Sequence, residues 1–235
     1  TPADRLAAGT YTATVKLTQA ASEETSTGKV TSFTVSFTVN RNTLQATDFT
    51  FKAPDPLEYD GNVKIAKVEA KGDAAGKVGE ITYHYFNASN QKVEKVTDAG
   101  TYTVKIDVKE SDTYKAATDL TGADENAWTF TIVKANQTAP EHLEGVKPES
   151  EGDQGKITGT TAAMEYKAES DFTGSDTGTK CTEGNTTVDA GKTYYVRLAG
   201  DNNHNPSTAT EVKVPAYSAE KPPAETEIPD SVMSA

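Results

Sequence analysis

A short stretch of this chain returns twice at a fixed interval, and the interval limits what the chain can fold into. Ala8-Gly9-Thr10-Tyr11-Thr12 recurs as Ala99-Gly100-Thr101-Tyr102-Thr103, and Ala190-Gly191-Lys192-Thr193-Tyr194 echoes both. Gly9, Gly100 and Gly191 stand 91 residues apart each time. Solenoid units run to roughly 20–45 residues, whereas a small β-sandwich takes about 100. The 235 residues therefore read as a string of β-sandwich beads.

Each copy carries the period-two pattern of a half-buried strand. After Gly100, Tyr102, Val104, Ile106 and Val108 share one face, and Thr103, Lys105, Asp107 and Lys109 share the other. Tyr11, Ala13, Val15 and Leu17 repeat this in the first copy, and Tyr194, Val196 and Leu198 in the third. Closing strands follow at Phe33, Val35, Phe37 and Val39, at Trp128, Phe130 and Ile132, and at Val212 and Val214. No window has the periodicity of an amphipathic helix, so the fold class is all-β, with tandem sandwich domains in an elongated array.

The middle copy is the most complete. Phe49-Thr50-Phe51 opens it, Val63 to Val68 and Ile81 to Phe86 supply central strands, and Asp55-Pro56 and Asp60-Gly61 mark turns. The first copy has only its last two long strands, and an isolated two-stranded hairpin is marginal in water. The expected organisation is the C-terminal part of an incomplete domain at 1–43, a complete domain at 44–135, a third domain at 136–217, and a linker or tail at 218–235. That last stretch, running through Pro222, Pro223 and Pro229, is acidic and proline-rich, the composition of an extended spacer. The chain opens on Thr1 rather than methionine, and the expectation is a piece of something longer.

Composition narrows the partners. Lys+Arg number 23 against 35 Asp+Glu, a net charge of -12, which disfavours nucleic acid and anionic membrane surfaces. Only 35% of residues are hydrophobic, and threonine is abundant, which suits sheets with one wet face. A helical bundle, a collagen and a membrane span are excluded, and these residues contain no signal-peptide pattern. A single cysteine, Cys181, cannot form an intramolecular disulfide.

Asp98-Ala99-Gly100-Thr101-Tyr102-Thr103-Val104 resembles the D-x-G-x-Y-x-C corner of immunoglobulin domains, with Val104 in the place of the cysteine. Such a corner needs Gly100 to turn and the Tyr102 hydroxyl to bond back to the preceding backbone. Upstream, Tyr59-Asp60-Gly61 spells the motif of bacterial immunoglobulin-like repeats of the YDG or MBG type, and Tyr114 completes that pattern. This resemblance covers roughly 44–135, and 1–43 in part. Gly191-Lys192-Thr193-Tyr194-Tyr195-Val196-Arg197-Leu198 resembles the G-x-x-Y-x-V-x-V strand of fibronectin type III modules. Gly155-Lys156-Ile157-Thr158-Gly159 with Met164-Glu165-Tyr166 is similar to a repeat of large surface proteins of Gram-positive gut bacteria. Both resemblances imply extracellular, non-catalytic modules that space, present or bind. They make Gly9, Tyr11, Gly100, Tyr102, Gly191 and Tyr194 structural corner residues.

Motifs that would carry chemistry are weak. His84, His142 and His204 are widely separated, and one cysteine is too few for a typical zinc site. Asp201-Asn202-Asn203-His204-Asn205 begins like a calcium loop, but Pro206 stands where that loop needs glycine and Val212 where it needs glutamate. A polar turn is the better reading. Cys181 lacks a hydrolase signature, although Lys180 beside it would lower a thiol pKa. Ser22 and Ser175 sit in loops without a nucleophile elbow, and the runs 71–76 and 174–178 are loop chemistry. A Lys–Asn isopeptide cross-link would draw on Lys52, yet the closing strand offers no asparagine before Asn136.

Aromatic residues are the remaining candidates, because sugars stack on exposed rings. Tyr83 and Tyr85 share one face of their strand and His84 and Phe86 the other, leaving one pair for the outer surface. Tyr195 and Arg197 point away from the third core if Tyr194 points in. The ligand-contact candidates are therefore Tyr83, Tyr195 and Arg197. The sequence supports a non-catalytic spacer or stalk of a bacterial cell-surface or secreted protein, monomeric, without cofactor, metal, nucleic acid or membrane insertion, and with neighbouring domains of its parent chain as partners. The alternative is an adhesin module that binds glycan or host protein.

Overall fold

The computed structural model describes residues 6–18, 30–173 and 176–219. It is all-β, and the chain divides into two compact units, Thr1–Val133 and Lys134–Ala235. The proline-rich stretch from Glu220 onward, and with it most of the expected linker, lies outside the described residues, as do Ser22 and Ser175.

The first unit opens with a hairpin of β1 (Gly9–Thr18) and β2 (Val30–Val39), paired in continuous antiparallel register from Gly9↔Val39 to Thr18↔Val30. Then follow β3 (Phe49–Lys52), β4 (Lys67–Ala70), β5 (Ile81–Asn87), β6 (Lys92–Val93), β7 (Gly100–Val108), β8 (Ala117–Leu120) and β9 (Thr129–Ile132). β3 and β4 form a two-stranded sheet; β5 to β9 form a second, with β7 between β5 on one side and β8 and β9 on the other. The alternation along β7 is realised residue by residue: Tyr102, Val104, Ile106 and Val108 are buried. They share one core with Leu44, Phe49, Ala66, Val68, Val96, Tyr114, Trp128, Phe130 and Ile132. Trp128 meets Phe49 edge-on and Phe51 face-on, closing that core by aromatic packing where no disulfide exists.

One expectation is corrected here. Val63 to Val68 is not a central strand along its length; strand structure begins at Lys67, and Val63 and Ile65 face solvent. The inward set is Lys64, Ala66 and Val68. Lys64 is held there by its backbone N–H, which donates to the Val96 carbonyl, and by an ion pair of 2.8 Å to Asp60. Ala66 and Val68 donate their N–H groups to the hydroxyls of Tyr85 and Tyr83. Those hydrogen bonds fix the parity of the segment against its hydrophobicity.

The second unit comprises β10 (Glu144–Val146), β11 (Gly155–Thr160), β12 (Met164–Ala168), β13 (Thr179–Lys180), β14 (Gly184–Val188), β15 (Lys192–Leu198) and β16 (Thr210–Val214). One sheet has the order β10-β11-β14 and the other β13-β12-β15-β16. Ile157, Met164, Cys181, Val188, Tyr194, Val196, Val212 and Val214 are its core. Gly145 in β10 lies so close to the Lys213 carbonyl of β16 that a Cβ there would collide with it, which is how the two sheets meet along one margin.

Candidate functional site

The repeated glycine–tyrosine motif is a built corner in all three copies. The hydroxyls of Tyr11, Tyr102 and Tyr194 donate to the carbonyls of Ala7, Asp98 and Asp189 at 2.7, 2.9 and 2.9 Å. The acceptor is two residues before the glycine each time. The third copy has one more residue between glycine and tyrosine, and Gly191 absorbs it. Its φ is 75°, where Gly9 and Gly100 take 159° and 153°. Only glycine enters that left-handed region without steric cost. Burial raises the Tyr102 and Tyr194 hydroxyl pKa values.

Beyond the corner, the two strands of the first copy match β7 and β9 of the second. Tyr11 faces Phe37 across β1–β2 as Tyr102 faces Phe130 across β7–β9, with ring centroids at 5.8 and 5.7 Å. Thr10 and Thr38 approach through their hydroxyls as Thr101 and Thr131 do. The surroundings differ. Phe130 is 5% exposed, whereas Phe37 is 41%, Phe33 48% and Leu17 59% exposed. With Val15 and Val35 these make a continuous apolar sheet face in water. Scattered exposed apolar residues are ordinary, but a contiguous patch marks an interaction surface.

The base of the hairpin is fastened to the body of the first unit. Ala8 N–H donates to the Asp112 carbonyl, Asn42 N–H to Thr113, and Lys115 N–H to Asn42. Arg41 Nε donates to the Ser111 carbonyl at 2.7 Å, and its guanidinium pairs with Glu110. The open face is therefore presented from a fixed root.

No protein-family model matches this chain, and comparison with curated proteins found no match.

The three ligand-contact candidates are placed differently from one another. Tyr83 is half-buried and packs with Tyr85 on the core, its hydroxyl bonded to both the N–H and the carbonyl of Val68. On the opposite side of β5, His84 meets Asp107 at 2.9 Å and Phe86 lies under the Lys105 ammonium. Neither pair is the open aromatic platform expected from the alternation. Tyr195 is half-buried between Lys167 and Glu211 on the neighbouring strands.

Arg197 does point away from Tyr194, but it is buried. Its Nε donates to Glu165 Oε1 at 2.7 Å, its guanidinium lies 3.8 Å from the centre of the Phe172 ring, and it also donates to the Asp176 carbonyl. Gly178 N–H completes the Glu165 carboxylate. Lys167 holds Asp176 from the other side and, with the Thr173 N–H and hydroxyl, lowers that carboxyl to about 2. Phe172 and Asp176 thus cover Arg197 on the outer face of β15, partners no local pattern around Arg197 reveals.

The remaining motifs resolve into structure. Asp201 turns inward on its own loop, accepting from Asn203 and His204 N–H, and its pKa is lowered chiefly by the His204 side chain. Cys181 is a core residue whose thiol is pushed up by burial, outweighing the effect of Lys180. Lys52 pairs across β3–β4 with Lys67 and stays exposed. Sequence reasoning missed a cleft of about 620 Å3 bordered by Phe51, Trp128, Gln45, Thr47, Lys71 and Glu125. The short Phe49-Thr50-Phe51 strand and the distant Trp128 were its only signals.

Proposed function

We propose that this chain is a structural and presentation segment of a large bacterial surface or secreted protein, built from immunoglobulin-like and fibronectin-like β-sandwich modules. One observation carries the reading: the same tyrosine corner, with its acceptor two residues before the glycine, opens a strand in every copy. Reuse of one corner in units with separate cores is what a protein gains by duplicating a spacer, since the second and third copies each bury an apolar core of their own. The net charge of -12 keeps such modules soluble and away from anionic surfaces. The segment acts without catalysis, as a monomer outside the cell, and its partners are neighbouring modules.

A second reading, a module that binds glycan or host protein, draws on the cleft beside Phe51 and Trp128, where an aromatic edge meets polar side chains. A glycan and mucin binding array with the intact chain and its Tyr195→Ala, Phe51→Ala and Tyr83→Ala variants separates the two. The spacer reading expects a blank array for all four proteins. Reproducible binding by the intact chain overturns it, and its loss in a variant that still unfolds as the parent does locates the site.

A further inference from the structure

We infer that the open face and outer edge of the β1–β2 hairpin are a docking site for a polypeptide segment bearing the front strands of a repeat of the 44–98 type. The inference rests on the modular reading above and deepens it. In the middle copy, β7 is flanked by β5, with Ile81 opposite Val108, Tyr83 opposite Ile106 and Tyr85 opposite Val104. The corresponding positions of the first copy run from Tyr11 to Leu17, and there the β1 edge has no strand beside it among the described residues. The face tells the same story. Tyr102, Val104, Ile106 and Val108 are covered by Phe49, Ala66 and Val68, while the side chains of Val15, Leu17, Phe33, Val35 and Phe37 are open.

The corner sets the frame the occupant meets. The Ala7 carbonyl receives the Tyr11 hydroxyl as the Asp98 carbonyl receives that of Tyr102, so β1 leaves its corner as β7 does. A second hairpin laid face to face would cover the apolar side chains but leave the N–H and C=O groups of the β1 edge unpaired. Strand addition satisfies both. The occupant also has a size. Ala13 and Val35 stand where the middle copy has Val104 and Trp128, so it carries bulkier apolar side chains at the level where Phe49 and Phe51 meet Trp128.

The test fuses a duplicate of residues 44–96 directly ahead of Leu6 in the chain and follows amide hydrogen exchange by NMR. The expected result is at least tenfold slower exchange at alternate amides between Tyr11 and Leu17, together with loss of hydrophobic-dye fluorescence. Val15→Asp in the fusion should restore fast exchange there and leave β7 protected, which separates docking failure from misfolding. Unchanged exchange in the fusion overturns the proposal. So does an unfused chain that sediments as a dimer with those amides already protected, because the face then belongs to a second copy. Ligand binding on the array would refute the spacer reading without altering these exchange rates, so the two failures are distinguishable.

Discussion

Tyr11 and Phe37 stack at 5.8 Å with their planes 24° apart, and in the next copy Tyr102 and Phe130 do the same at 5.7 Å and 28°. The geometry is shared and the environment is opposite, so equal substitutions should have unequal costs. Phe130→Ala removes a buried ring and should destabilise the first unit by about 3–5 kcal/mol. Phe37→Ala should change its melting by no more than roughly 0.5 kcal/mol while reducing hydrophobic-dye binding. Thermal unfolding with dye titration of the two variants checks both halves of the contrast.

Arg197 and Glu165 form an ion pair whose side chains are 9% and 6% exposed. Arg197→Ala leaves the Glu165 carboxylate buried without its partner and should cost the second unit about 3–5 kcal/mol. The double variant Arg197→Met, Glu165→Leu removes both charges and should recover most of that loss. Chemical denaturation monitored by a probe in the second unit distinguishes a pair that is needed from one that is merely present.

The corner hydrogen bonds give a graded series. Tyr102→Phe and Tyr194→Phe should each cost about 0.5–1.5 kcal/mol, because a carbonyl in a partly buried corner loses its donor. Tyr11→Phe should cost less than either, since water reaches the Ala7 carbonyl beside an open face. Three unfolding curves against the parent chain are sufficient.

Acid should act through Asp60. The Lys64 ammonium holds its carboxyl at about 2, below the ordinary 3.8, so the pair stabilises the first unit above pH 3.8. That contribution is lost as pH falls from about 4 through about 2. Asp60→Asn should be less stable than the parent at pH 6, and the gap should narrow steadily toward pH 2. A constant gap across that range would show that Lys64 is held by something else.

What the sequence makes legible is local. Alternation along 100–108 locates β7 and its buried face, because a strand packed on one side must repeat every second residue. The corner tyrosines are equally readable, since donor and acceptor lie within five residues. Arg197 fails this way of reading because its partner Glu165 lies 32 residues off and meets it only through the β12–β15 register. Lys64 fails for a related reason: backbone hydrogen bonds to Val96 and Tyr85 set the segment's parity, and its own hydrophobic pattern does not. Tyr83 and Tyr85 were readable as a face, but not as hydroxyls anchored to the strand across the core.

If the chain is the run of separately folded spacer modules proposed above, single molecules stretched from both ends unfold unit by unit. Two resisted unfolding steps of unequal length are expected, one for each compact unit, bounded at about 3.5 Å per residue by roughly 470 Å for Thr1–Val133 and roughly 360 Å for Lys134–Ala235. They should appear in either order, with Phe130→Ala weakening one step and Arg197→Ala the other. A single cooperative rupture of both units, or extension without resistance at low force, would contradict that proposal.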